Sequence, residues 1–196
     1  MGGLNGPFLF CCLYEPNHKY IKMTDLRYPI GQYEPIPFNE DSKRQWLADI
    51  AQLPNMVEAS IENLDAPQLD TPYRDGGWTV AQVVHHLSDS HINFFCRAKL
   101  TLTEINPLIK VYDEVAWINQ ADAENLPVNN ATTLLHALHQ RIYLLFKLAG
   151  TEDWERTYTH SESGEHTLWY LLGMYAWHGR HHVAHINSLR ERMGWR

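Results

Sequence analysis

Four stretches of this sequence repeat their apolar residues every three or four positions, the period of a helix with one buried face. No stretch alternates convincingly as a half-buried strand would. The first runs from Asp41 to Leu64, with Trp46, Leu47, Ile50, Leu53, Val57, Ile61 and Leu64 in phase. Pro54 falls inside it, so the helix either kinks there or splits into two pieces, and a kink is favoured. The second opens at Thr79-Val80-Ala81-Gln82, which has the form of a capping box, and runs to about Glu104. The third covers Ala131 to Leu148, with Leu134, Leu135, Leu138, Ile142, Leu145 and Phe146 on its buried stripe and Gly150 as a stop. The fourth extends from Leu168 to about Met193. Four such helices in 196 residues predict an all-α fold, a single four-helix bundle with at least one long connection.

The connections carry their own signals. Pro29, Gly31, Pro35 and Pro37, set among aromatics, make residues 24–39 an extended arm across a surface. Residues 105–130 hold Pro107, Pro127 and Asn129-Asn130 around the cluster Tyr112-Asp113-Glu114-Val115-Ala116-Trp117. A connection of that length in one domain is usually functional, and this cluster either closes over a site or plugs the fold. Residues 151–166, around Ser163-Gly164, read as a short hairpin or an ordered loop. Ahead of the arm, the apolar run Pro7–Tyr14 has no basic residue before it and no small-residue cleavage site after it, so it makes a poor signal peptide. Residues 1–23 are therefore expected to be an N-terminal extension, with Met23 as an alternative start, and 24–196 to be the domain.

Charge and cysteine usage exclude several functions. With Lys+Arg 16 against Asp+Glu 23 the net charge is −7, so the basic surface that neutralises phosphates is missing and no nucleic-acid partner is expected. No run approaches the roughly 18 to 20 apolar residues of a membrane span. Cys11 and Cys12 lie in the extension and leave Cys96 without a partner, which suits a reducing cytoplasm.

Histidine is the residue in excess, with twelve in the chain, and it is the commonest side-chain metal ligand. Four crowd into His178-Gly179-Arg180-His181-His182-Val183-Ala184-His185 on the fourth helix. Residues four apart share a helix face, so either His178 with His182 or His181 with His185 can grip one ion. On a helical wheel the first pair sits at the edge of the apolar face and the second points roughly 60° further toward solvent, which favours His178 and His182. Gly179, in the middle of that face, permits close approach of another helix. A third ligand must come from elsewhere, and the second helix offers His85, His86 and His91. Periodicity alone does not choose among them. His91 lies within the core stripe, as a core or pocket histidine, while His86 shares the polar flank with Gln82, Asp89, Ser90, Asn93 and Arg97, which favours His86. Asp89, one turn away, is a candidate general base, or else a partner that orients a ligand histidine. His136 and His139 on the third helix are expected at the surface.

These residues carry a resemblance. Trp78-Thr79-Val80 leading into His85-His86-Leu87-Ser88-Asp89-Ser90-His91, and Tyr175-Ala176-Trp177-His178 through Ile186, are similar to the DinB/YfiT-like family of metal-dependent hydrolases, which has bacillithiol-transferase-like members. Arg27-Tyr28-Pro29-Ile30-Gly31, Asp70 through Trp78, Tyr112-Asp113-Glu114 and Arg192-Met193-Gly194-Trp195 extend the likeness to the C-terminus. The resemblance implies a four-helix bundle, commonly a homodimer, with one divalent ion per subunit held by His86, His178 and His182. Three neutral imidazoles leave a coordination position open, as in catalytic rather than structural zinc sites; nickel or manganese also suits imidazole. The expected function is hydrolysis of a small-molecule substrate by activated water. The alternatives are transfer of a low-molecular-weight thiol and metal-dependent binding without turnover.

Overall fold

Capping residues decide where the long helices begin. In the computed structural model, which describes residues 25–196, Asn39 accepts from the Ser42 backbone to open α1 (Glu40–Ile61). The short α2 (Ala66–Leu69) follows. Thr79 and Gln82 then form the predicted capping box at the head of α3 (Val80–Thr103). Two short helices, α4 (Glu114–Ile118) and α5 (Ala121–Asn125), occupy the long connection. Next comes α6 (Val128–Lys147), which starts three residues before Ala131 because Pro127 serves as its N-cap. Thr167 caps α7 (Leu168–Met193), which ends on Gly194 at φ 66°, the left-handed conformation that glycine tolerates. α1 passes through Pro54 as one helix, so the two-piece alternative does not hold. The extension expected at 1–23 lies outside the described residues.

The bundle closes as a ring in which α1 and α3 each pack against both α6 and α7. Its loops also build a small sheet. The hairpin anticipated around Ser163-Gly164 is present as β2 (Thr157–His160) and β3 (Gly164–Thr167), with Tyr158 opposite His166. β1 (Leu108–Ile109) adds in parallel to β2. Two residues are too few for a period-2 signal, which is why β1 is invisible in the sequence.

Two apolar clusters fill the bundle. One gathers Trp46, Phe94, Ile142, Phe146, Trp154 and Leu172, and the other Leu53, Val57, Val83, Val84, Leu135 and Ile186. On α3, His91 falls between Leu87 of the second cluster and Phe94 of the first. On α7, His178 and His182 fall between Ala176 of the first and Val183 of the second. A histidine layer thus divides the core. Gly179 lies within it, and a Cβ there would come within 2.7 Å of Leu53, so the glycine allows α7 its close approach to α1.

One surface expectation fails. His139 is 1% exposed, because it stands four residues after Leu135 and three before Ile142, inside the stripe that faces the core. His181 and His185 are buried as well, although the wheel turns them toward solvent. A wheel knows nothing of what covers a helix from outside: Tyr28 of the arm lies against His181, as does Trp177 of α7 itself, and Tyr73, ahead of α3, stacks on His185 at 4.0 Å. The arm is pinned along α7 by Trp169, which donates to the Ile36 carbonyl, and by Trp177, which donates to that of Gly31. His136 does lie at the surface, 3.0 Å from Glu58.

Candidate metal centre

Adjacent faces of α3 and α7 bring His86, His178 and His182 together. One ring nitrogen of each lies within 4.8 Å of the other two. His178 and His182 are one helical turn apart, and Nε2 of His86 approaches Nε2 of His178 at 3.4 Å across the helix interface. Burial holds all three rings below the ordinary histidine pKa, that of His86 at about 4 and those of His178 and His182 well below the usual value. They are therefore neutral at pH 7, the form that binds metal. Nδ1 of His182 is buried with no hydrogen-bond partner among the described residues. Buried nitrogens seldom stay unpaired in native folds, and a divalent cation would satisfy neutral imidazole nitrogens that converge in this way. The donor set fits a metal.

The other histidines of the second helix have different tasks. Nε2 of His85 meets the carbonyl of Leu126 at 3.1 Å and ties α3 to the segment before α6. His91 lies fully inside the bundle against His139 and His178. Asp89 is half-buried on α3, its carboxyl raised to about 6 by burial and by Asp122 nearby.

Two cavities open onto the cluster. The larger, about 530 Å³, takes in all three histidines together with Trp78, Tyr73 and Glu114. The second, about 290 Å³, reaches His86 and His178 from the other side and is lined by Arg97, Tyr112, Tyr158, Tyr175 and Glu114. Asp89 lines neither. Glu114, carried by α4, lines both, so the long connection does supply the wall of the site. Arg97 lies three helical turns beyond His86, a spacing of eleven residues that returns to the same face. Its guanidinium has no carboxylate within ion-pair distance among the described residues. It donates to the Tyr175 hydroxyl at 3.3 Å, and its buried Nε has no partner among the described residues. Neither Glu114 nor Arg97 stands out in the sequence as a site residue. The Tyr112-Asp113-Glu114 cluster and the polar flank of His86 are the signals that contain them.

Comparison with known proteins converges on one family. Residues 41–186 match the DinB superfamily model. A Bacillus cereus protein named "Putative metal-dependent hydrolase" is 51% identical over 175 residues, covering 88% of this chain and 100% of that protein. A Bacillus thuringiensis relative so named shows the same identity and coverage. Among solved structures, YfiT from Bacillus subtilis, described as "a probable metal-dependent hydrolase with an unusual four-helix bundle topology", superposes with a TM-score of 0.85 at 42% identity. That likeness covers 87% of this chain and 99% of YfiT.

Proposed function

Because the chain belongs to the DinB superfamily, we propose that it is a cytoplasmic metal-dependent hydrolase in which His86, His178 and His182 hold one zinc ion per subunit. The observation that carries this reading is the convergence of three neutral imidazoles, His86 and His182 buried and His178 partly buried, beside two cavities. When bound, zinc supplies Lewis acidity, polarising the substrate and bringing the pKa of water toward neutrality. The chain's own residues do the rest. Glu114 takes the proton from attacking water on its carboxylate and returns it to the leaving group. It is preferred over Asp89, whose pKa of about 6 suits a base but whose carboxylate lines neither cavity. Arg97, a cation without a carboxylate partner among the described residues, favours a small substrate that carries an acidic group.

The experiment compares zinc-loaded and chelated protein on a panel of small esters and amides, each in a neutral and a carboxylate-bearing form. Hydrolysis is expected only with metal. Glu114→Gln should lower kcat on the order of 10²- to 10⁴-fold, and Arg97→Gln should raise KM for the acidic forms alone. Turnover that survives chelation or ignores Glu114 contradicts the proposal, and turnover that requires an added low-molecular-weight thiol replaces it with thiol transfer.

We also propose a homodimer through the outer face of α3 and α6. Leu144 is 54% and Leu148 72% exposed there, beside a groove lined by Phe95, Leu102 and Leu145. Contiguous apolar surface of this kind marks association sites. Light scattering should give a dimer at micromolar concentration, and Leu148→Glu should give a monomer. A monomeric wild type rules the contact out.

A further inference from the structure

The histidine layer contains a directed chain of contacts that crosses all four long helices. It starts at α1, where the carbonyl of Ile50 lies 2.6 Å from Nδ1 of His139 on α6. Nε2 of His139 lies 3.0 Å from Nδ1 of His91 on α3, and Nε2 of His91 lies 3.4 Å from Nδ1 of His178 on α7. The ring centroids are 4.8 and 5.5 Å apart at interplanar angles of 28° and 42°, so the contacts that link the rings are the nitrogen-to-nitrogen approaches of 3.0 and 3.4 Å. Nε2 of His178 then faces the candidate metal position.

Hydrogen-bond chemistry gives this chain one direction. A carbonyl only accepts, so Nδ1 of His139 must carry the proton, and a neutral imidazole has one N–H. Nε2 of His139 is then bare and must accept from Nδ1–H of His91. By the same step Nε2 of His91 is bare and accepts from Nδ1–H of His178. His178 is left with a bare Nε2, the lone pair a metal needs. Pro54 explains why the anchor exists. In an uninterrupted helix the Ile50 carbonyl would accept from the N–H four residues on, but that residue is Pro54, which has none.

We propose that His91 and His139 are positioning residues, which transmit the direction of the Ile50 carbonyl through the core and hold His178 in its metal-binding tautomer and orientation. The inference rests on the zinc reading above for its functional consequence. Its geometry does not depend on it. Neither residue touches the metal position. They act through His178, as the partners of ligand histidines do in metal sites, where their loss costs about 10- to 100-fold in affinity.

The test is ¹⁵N NMR of the imidazoles in the full chain, with and without zinc, joined to zinc affinities measured by competition with a chromophoric chelator. The proposal expects His139, His91 and His178 each to carry the proton on Nδ1. It expects His91→Phe and His139→Phe, which keep a planar ring in the core, to bind zinc about 10- to 100-fold more weakly. In His91→Phe, His178 should lose its single tautomer in the metal-free protein. A proton on Nε2 of His91 or His139 in the wild type overturns the proposal, as does wild-type zinc affinity in a folded His91→Phe protein. A wild type that binds no zinc sinks the metal reading instead, because the tautomers are read without reference to it.

Discussion

His182→Ala should remove stoichiometric zinc from the protein while leaving it folded. His182 makes no side-chain hydrogen bond among the described residues, and its Nδ1 is buried without a partner. The metal-free chain therefore loses only packing when the ring goes. The holo-protein loses one of three donors, a larger defect than removal of a supporting residue, which itself costs about 10- to 100-fold in affinity. Binding to the native state alone stabilises it by RT ln(1 + [L]/Kd), about 4 kcal/mol when the metal is a thousandfold above Kd. Wild type should show that gain as a zinc-dependent rise in Tm, and His182→Ala should show almost none. His178→Ala should lose zinc too, and because His178 also ends the chain from Ile50 it should destabilise the metal-free protein further. Metal content after dialysis, together with melting curves with and without zinc, reads both effects. One tightly held ion per chain in His182→Ala would show that the cluster is not the site.

The same residues show how far sequence reasoning reaches. The pair His178 and His182 is legible because its geometry is local: four residues are one turn, and the apolar positions of one helix fix which face is inward. The third member of the cluster is not local. His85, His86 and His91 all lie on α3, and only the packing of α3 against α7 sends His86 to the cluster, His85 to the Leu126 carbonyl and His91 to His139. His139, expected at the surface, is buried because its position, between Leu135 and Ile142, points inward. His181 and His185 are buried despite their place on the wheel because they are covered from outside the bundle, by the arm and by Tyr73. Glu114 arrives from a connection with no periodicity to read. Pro54 is legible in the sequence as an interruption, whereas the use made of the carbonyl it frees appears only in the fold.

Acid should destabilise the metal-free protein well above the ordinary carboxylate range, with His139 as a main cause. Burial holds its pKa at about 4 against an ordinary 6.5. As pH falls below 6.5 the unfolded chain takes up a proton that the folded chain refuses until about 4. Stability is thus fully present above 6.5, declines across this window and is lost as pH passes through about 4. At 1.36 kcal/mol for each pH unit of difference, this one ring accounts for about 3 kcal/mol, of which about 2 is gone by pH 5. His91, buried and held well below the usual value, acts in the same direction. Asp89 opposes it: with a pKa raised from 3.8 to about 6, the folded chain holds its proton more tightly and gains stability as pH falls through that range. Asp89 is only half-buried, so solvent screening reduces its share, and the histidines prevail. Urea unfolding of the chelated protein at pH 7.5, 6 and 5 should show a steady loss of at least about 2 kcal/mol, steeper in Asp89→Asn and shallower in His139→Phe. A flat profile from pH 7.5 to 5 would mean that the histidine layer is not held neutral by the fold.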